Sequence, residues 1–252
     1  MWELFRLNFW HYLRRLSRDS FGILIFVALP LILVYVLSLV GAQNTEGQIY
    51  FHGYNMVATH ISVGMMLLFQ LNGGIYLLNC LNHDFIKPMK WRLNASPCHV
   101  YMSVFGAVAA CLVFTVAQGI LIVSGSTLLM GAYWGNLWIT IMVIVIVSTI
   151  SQLLNIILLL CIRNLSAAEY MSWFLAWSMA VLGGMMFPLP DNAFFRFMRQ
   201  YGTPFSLARN VIQESGFLAT TSASMWNSIV MLVGLTVFLA MIIVLLGRRK
   251  LG

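Results

Sequence analysis

Charged residues are scarce in this chain of 252 residues, of which only 8% are Asp, Glu, Lys or Arg. Hydrophobic residues make up 61%, and the mean hydropathy is +0.88. Soluble domains are about 25% charged and about 45–50% apolar, so this chain has too few polar groups to cover a surface in water. These scarcities exclude an ordinary soluble enzyme and a disordered protein, and they predict a polytopic membrane protein.

Patterns that carry chemistry are missing as well. The apolar composition also excludes a disulfide-stapled secreted domain. The four cysteines form no C-x-x-C pair, no histidine stands at zinc-ligand spacing beside them, and three lie in or at the edge of apolar runs, which favours buried thiols. Neither G-x-x-x-x-G-K-[ST] nor G-x-G-x-x-G occurs, so the chain has no known phosphate-binding loop. We therefore expect a chain that is not an enzyme, with no cofactor, no catalytic residue, no metal site and no ATPase site of its own.

Six apolar runs are each long enough to cross a bilayer core, which takes about 20 helical residues. The predicted spans are 21–42, 57–80, 100–124, 138–160, 170–187 and 225–246. Because the runs are continuous and do not alternate with polar residues, they predict helices and not strands. Residues 21–252 are accordingly predicted to form one all-α domain of six transmembrane helices.

Residues 1–20 precede the spans and have an amphipathic pattern. On a helical wheel the apolar side comprises Trp2, Phe5, Phe9, Tyr12, Leu13 and Leu16. The other side comprises mostly charged residues, namely Glu3, His11, Arg14, Arg15 and Arg18. This pattern predicts a basic helix lying in the membrane interface.

Basic residues are distributed unevenly between the two ends of the predicted spans. One side has only Arg196, Arg199 and Arg209. The other side has Arg6, Arg14, Arg15, Arg18, Lys87, Lys90, Arg92, Arg163, Arg248, Arg249 and Lys250. By the positive-inside rule, a multi-pass plasma-membrane protein with both termini in the cytoplasm is predicted. The net charge of +7 then marks topology and lipid contact, and no nucleic-acid partner is expected.

The segment 188–224 is the longest predicted stretch outside the spans, on the external side. Asp191 is predicted to cap a short helix there, which carries Phe194, Phe195, Phe197, Met198 and Tyr201. Its aromatic residues alternate with Arg196 and Arg199, as is typical of a helix that dips into the outer interface.

Polar residues within the predicted spans are uncharged, and no carboxylate falls at the middle of a span, which argues against an ion-driven transporter. The polar set is Gln70, Asn72, Asn79, Gln118, Ser148, Ser151, Gln152 and Asn155. Two interpretations remain open. The preferred one is hydrogen bonding between helices, and the other is a polar patch in a translocation cavity.

The segment between the second and third spans mixes apolar and charged residues. Phe85, Trp91 and Leu93 are its apolar anchors, and Pro97 precedes the next span. A short amphipathic helix there would offer a docking site to a soluble partner. A simple interfacial turn is the alternative.

Four features together resemble the membrane subunit of ABC-2 type transporters, over the whole chain. They are Pro30 in the first span, Arg92-Leu93-Asn94-Ala95-Ser96-Pro97 before the third span (similar to the family's R-L-x-A-[ST]-P), 183–190 at the end of the fifth span, and 201–209 before the sixth. The resemblance implies a permease subunit of an ATP-driven exporter. It also implies two partners, namely a cytoplasmic ABC ATPase that binds ATP and Mg²⁺, and a second copy or a homologous permease.

The resemblance also implies roles for named residues. The expected ATPase-coupling residues are Asp84, Phe85, Lys87, Trp91, Arg92, Leu93, Ser96 and Pro97. The candidate cavity-lining residues are Met65, Phe69, Asn72, Met179, Met186 and Phe187. Methionine-rich surfaces accept varied hydrophobic ligands, which favours a drug or antimicrobial peptide as cargo. A lipid, polysaccharide or ion exporter is the alternative; an intramembrane hydrolase using a serine and His60, or a passive channel, is less favoured.

Overall fold

The computed structural model of the protein describes residues 2–44, 50–51, 54–86, 100–162, 164–185, 189–217 and 223–251. These residues form an all-α fold, as predicted. The helices are α1 (Trp2–Ser17), α2 (Ser20–Asn44), α3 (Met56–Asn72), α4 (Gly74–Leu81), α5 (Val100–Met130), α6 (Leu137–Cys161), α7 (Leu165–Leu182), α8 (Ala193–Phe197), α9 (Pro204–Phe217) and α10 (Ala223–Leu251). Two π-helical turns, Asn82–Ile86 and Met198–Gly202, follow α4 and α8. A short antiparallel hairpin of β1 (Tyr50–Phe51) and β2 (Tyr54–Asn55) precedes α3.

Four helical stretches in these ranges are long and apolar enough to cross a membrane. They are Met56–Asp84, Met102–Met130, Leu137–Cys161 and Ala223–Arg248. They coincide with the second, third, fourth and sixth predicted spans and are compatible with a membrane protein. The first predicted span lies in α2, which contains a shorter apolar stretch, Leu24–Val40.

The fifth predicted span lies in α7, which begins and ends about five residues earlier than 170–187. Asn164 caps its start, because the Asn164 side chain accepts a hydrogen bond from the Ser166 N–H at 3.1 Å. Gly184 adopts a φ of +66°, and the Met185 N–H donates a hydrogen bond to the Ala180 carbonyl oxygen at 3.1 Å. This left-handed glycine explains why the helix stops before the apolar sequence does.

The second predicted span is the centre of the bundle. Within its most apolar stretch 83% of the residues are buried, against 17% in α10, which lies at the periphery. Gly73 separates α3 from α4 in this span. A Cβ at Gly73 would lie 2.5 Å from Thr115 Cγ2, and one at Gly74 would lie 2.5 Å from the Ser151 carbonyl oxygen. The glycine pair therefore lets α4 approach α5 and α6 closely.

Helix α1 packs against α4 and α5 through one face. The cluster there contains Tyr12, Leu16, Leu77, Cys80, Leu81, Ala107, Ala110 and Cys111. A Cβ at Gly106 would lie 2.9 Å from Asn8 Cβ, so the helices α1 and α5 meet nearly backbone to backbone. Only part of the apolar side predicted for α1 is buried: Tyr12 is 3% exposed, whereas Trp2 is 74% exposed.

Candidate functional site

A carboxylate is buried at the end of the second predicted span, where α4 passes into its π-helical turn. Asp84 Oδ2 accepts a hydrogen bond from the Tyr12 hydroxyl at 2.7 Å, and Oδ1 lies 3.3 Å from Arg15 Nη1 and 2.9 Å from His83 Nδ1. Ser103 Oγ lies 3.1 Å from the Tyr12 oxygen. We call these five residues the Asp84 cluster. It joins α1, the end of α4 and the start of α5.

The direction of each hydrogen bond follows from the groups present. An ionised carboxylate only accepts, so Tyr12 donates its single hydroxyl hydrogen to Asp84. Ser103 must then donate to the Tyr12 oxygen, and His83 Nδ1 carries the hydrogen that faces Asp84. All three neighbours of Asp84 are thus donors, which satisfies a carboxylate that has little access to water.

Helix geometry brings the two α1 donors to one acceptor. Tyr12 and Arg15 are three positions apart and therefore share a helix face. Leu16 is buried beside them and holds this face on the bundle. Burial raises the pKa of Tyr12 above its ordinary value; the hydrogen bond from Ser103 opposes this shift, and the hydrogen bond to Asp84 adds to it. Tyr12 therefore remains a neutral donor throughout the physiological pH range.

Of the predicted coupling residues, the structure describes only the beginning of the segment. Asp84 is the acceptor of the cluster, and Phe85 lies in the π-helical turn. The remaining residues, Lys87, Trp91, Arg92, Leu93, Ser96 and Pro97, lie outside the described ranges. Their coupling role stays a prediction.

Four of the six predicted cavity-lining residues are described, and they lie in or against the core of the single chain. Met65 and Phe69 are each 4% exposed, and Asn72 is fully buried. Met179 is half-buried against the same core. Met186 and Phe187 lie outside the described ranges, so the cavity itself stays a prediction.

Hydrogen bonds between helices connect the polar residues at mid-span. The Gln70 amide group donates to the Thr115 carbonyl oxygen at 2.9 Å and to the Ser148 hydroxyl. Ser151 accepts from the Gly74 N–H at 2.9 Å and donates to the Leu71 carbonyl oxygen. These contacts agree with the preferred interpretation, in which polar side chains hold the helices together.

Some buried amide atoms in this layer have no partner among the described residues. Gln152 is 1% exposed, and neither its oxygen nor its nitrogen is hydrogen-bonded. The side-chain oxygens of Gln70, Asn72 and Asn155 are also unpartnered. An unsatisfied buried polar group destabilises a fold, so hydrogen bonding between helices explains Gln152 less well than any other residue of this layer.

At the opposite end of the bundle, the predicted short helix is present as α8, but its predicted cap is not. Asn192 holds the cap position without a side-chain hydrogen bond, and Asp191 instead pairs with Arg196 at 3.5 Å. Helix α9 has a reciprocal cap, since the Thr203 hydroxyl accepts from the Ser206 N–H at 3.0 Å and the Ser206 hydroxyl accepts from the Thr203 N–H at 3.1 Å.

Two residues singled out in the sequence lie near this same end. Arg209 extends from α9, and its Nη1 lies 3.5 Å from the Gly183 carbonyl oxygen. Burial lowers the pKa of Arg209, and the positive charge of Arg199 acts in the same direction. His60, which the hydrolase alternative would use, has its Nδ1 3.4 Å from Gln213 Nε2. Two serines of α5, Ser124 and Ser126, donate their hydroxyl hydrogens to carbonyls of their own helix.

Sequence reasoning singled out Asp84 but none of its partners as functional residues. The helical wheel predicts that Arg15 lies on the polar side of α1, whereas its guanidinium reaches Asp84. Ser103 and Tyr12 carry no motif. The one usable signal is that Tyr12 and Arg15 lie on the same face of a helix, which pairs a hydroxyl and a cation for a carboxylate elsewhere.

No family model matches this chain, and no curated protein matches it either.

Proposed function

We propose that this chain is the membrane-spanning permease subunit of an ATP-driven exporter of the ABC-2 type. In this proposal α2 and α7 cross the membrane together with the four longer spans, which gives six crossings and two cytoplasmic termini. Eleven basic residues then face the cytoplasm, in agreement with the positive-inside rule. Helix α1 lies at the inner interface.

The observation that carries this proposal is the Asp84 cluster. Asp84 is the first residue of the segment 84–97. We propose that this segment is the coupling element to which a cytoplasmic ATPase subunit binds. Because Asp84 is bonded to Tyr12 and Arg15, a force on this segment reaches α1 as well as the second span. Ser103 extends the connection to α5. A carboxylate that is buried and held by several donors is stiff, and stiffness suits the transmission of a rigid-body movement.

The second span offers a route from this cluster to the middle of the bundle. It runs from Asp84 through α4 to Gly73, where the helix is interrupted next to Thr115 and Ser151. Displacement of α4 would therefore change the packing at mid-span. We propose that this change opens and closes the path of an amphipathic or apolar cargo, such as a drug or an antimicrobial peptide.

The energy comes from ATP and Mg²⁺ bound by the partner ATPase, and the pore requires a second copy of this chain or a homologous permease. The direct test is affinity purification of the tagged full chain from its own membranes in mild detergent. We expect an ATPase with a G-x-x-x-x-G-K-[ST] loop to co-purify. Recovery of the chain without such a subunit, together with substrate turnover or passive flux by the chain alone, would contradict the proposal.

A further inference from the structure

A cavity of about 310 Å³ lies where α1, α2 and α4 meet. It shares Arg15 with the Asp84 cluster but is lined by none of the other four residues of that cluster. Its wall combines charged, polar and apolar side chains, among them Arg15, Asp19, Tyr76, Asn79, Leu16 and Phe26. The mixture of both charges with an apolar floor is the first indication of what the cavity accepts.

The absence of a side chain at Gly22 lets two polar groups of the cavity wall pack close to the start of α2. A Cβ there would lie 2.4 Å from Asp19 Oδ2 and 2.9 Å from the Tyr76 hydroxyl oxygen. The carboxylate and the hydroxyl therefore pack closely against Gly22, and any other residue there would displace them. They do not bond to each other.

The Tyr76 hydroxyl is a buried donor with no partner in the described part of the chain. Its ring is held by Phe26 at 4.9 Å and by Phe114 at 5.0 Å between ring centroids, which fixes the direction of the hydroxyl. A buried hydroxyl without a hydrogen bond costs free energy, so a ligand group that bonded to it from the cavity would lower that cost.

The two charged residues are also available. Arg15 uses one N–H on Asp84, and its side chain keeps 37% of its exposure, which leaves other donors of the guanidinium fork free. Asp19 accepts from the Gly22 N–H at 3.0 Å as the cap of α2, and it makes no ion pair with any described residue. The remaining donors of Arg15, which is paired with Asp84, and the carboxylate of Asp19 thus line the same cavity.

The cavity lies at the membrane boundary of the bundle, since α2 begins at Ser20 and α4 ends at Leu81. We propose that it binds the headgroup of a zwitterionic phospholipid with a primary ammonium, phosphatidylethanolamine. The phosphate bonds to Arg15 and Tyr76, the ammonium bonds to Asp19, and the glycerol end of the lipid packs on Phe26. This site requires only that the chain lies in a membrane, so it stands independently of the transport function proposed above.

Native mass spectrometry of the purified full chain, titrated with single lipids, tests the assignment. We expect phosphatidylethanolamine to bind more tightly than phosphatidylcholine, whose quaternary ammonium cannot donate, and than phosphatidylglycerol, which has no ammonium. Asp19→Asn should weaken phosphatidylethanolamine binding roughly tenfold, because it removes a charge-assisted hydrogen bond. The same substitution should leave phosphatidylglycerol binding unchanged. Asparagine is also a good helix cap, so α2 is retained.

Two matched controls separate the site from general effects. Asp191→Asn removes an exposed carboxylate elsewhere, and Tyr170→Phe removes the hydroxyl of a tyrosine that is 74% exposed. Neither should change lipid binding, whereas Tyr76→Phe should weaken it several-fold and carries the test if Asp19→Asn does not fold. Equal binding of the three lipids, or variants that bind like their controls, would overturn the proposal. Glycerophosphoethanolamine that binds as tightly as the lipid would overturn its assignment to a membrane lipid.

Discussion

The hydroxyl of Tyr12 donates to the carboxylate of Asp84 at 2.7 Å, although 72 positions of the chain separate the two residues. This bond fastens the N-terminal helix α1 to the end of the second span. It also places a buried anion at the first residue of the segment that we propose as the coupling element. The predictions below test this connection and the packing that depends on it.

Replacing Tyr12 with phenylalanine removes the shortest hydrogen bond to Asp84 and leaves the ring in place. We expect the free energy of unfolding to fall by about 1–3 kcal/mol, because a buried acceptor loses its donor. The measurement is unfolding of the detergent-solubilised chain by titration with SDS. Tyr170→Phe is the control, since this hydroxyl is exposed, and its stability should match wild type. Equal stability of the two variants would show that the hydrogen bond between Tyr12 and Asp84 does not stabilise the fold.

The ion pair of Arg15 and Asp84 should contribute more than the pair of Arg196 and Asp191. The two pairs have similar separations, 3.3 Å and 3.5 Å, but the Asp84 side chain is 11% exposed and that of Asp191 is 78% exposed. Double-mutant cycles with Arg→Gln and Asp→Asn should give a coupling energy of about 1–2 kcal/mol for the first pair. The exposed pair should give less than about 0.5 kcal/mol. Equal coupling energies would contradict the assignment of Asp84 as a buried acceptor.

Substitution of Gly74 with alanine should destabilise the bundle at mid-span. The added Cβ would lie 2.3 Å from Asn155 Nδ2 and 2.5 Å from the Ser151 carbonyl oxygen, which belongs to backbone and has little room to shift. We expect a loss of about 1–3 kcal/mol, as for other overpacked cores, measured as a lower temperature of thermal unfolding. Gly234→Ala is the control, because a Cβ there would meet nothing within 4 Å. A Gly74→Ala variant as stable as this control would refute the close approach of α4 and α6.

Gln70 and Gln152 should respond differently to leucine, although both are buried near mid-span. Gln70 bridges to Thr115 and Ser148, so Gln70→Leu should cost roughly 0.6–2 kcal/mol. The Gln152 side chain forms no hydrogen bond with any residue that the structure describes, so Gln152→Leu should keep or raise the temperature of thermal unfolding.

The same two variants separate the interpretations of the polar layer. If hydrogen bonding between helices is its role, cargo export should follow stability, and Gln152→Leu should export normally. A stable Gln152→Leu variant that has lost export would instead place Gln152 in the translocation path. Equal destabilisation by both substitutions would contradict the hydrogen bonds described for this layer.

Continuous apolar runs made the helical class and four of the spans predictable, because about 20 apolar residues correspond directly to the thickness of a bilayer core. The ends of elements were less predictable. Gly184 ends α7 while the apolar sequence continues, and Asp191 pairs with Arg196 where a cap was expected. Both outcomes depend on local backbone geometry that hydropathy does not report.

The candidate site was only partly predictable for a different reason. The sequence indicated Asp84 through its place before the predicted amphipathic segment. Its partners Tyr12 and Ser103 lie in α1 and α5, and only the packing of these helices brings them together. The hydroxyl of Tyr76, which has no partner among the described residues, had no signal in the sequence either, since its position depends on close packing against Gly22.

The most direct test of the proposed mechanism is ATP-driven cargo efflux in proteoliposomes that contain this chain and the ATPase that co-purifies with it. Phe85→Ala, Trp91→Ala and Leu93→Ala are combined in one variant. The control combines Phe194→Ala, Trp138→Ala and Leu137→Ala, which are exposed residues of the same types outside the proposed coupling segment. The account predicts that the first variant assembles in the membrane but loses ATP-dependent efflux, while the control retains it. Unchanged efflux in the first variant would contradict the claim that the chain is driven through 84–97.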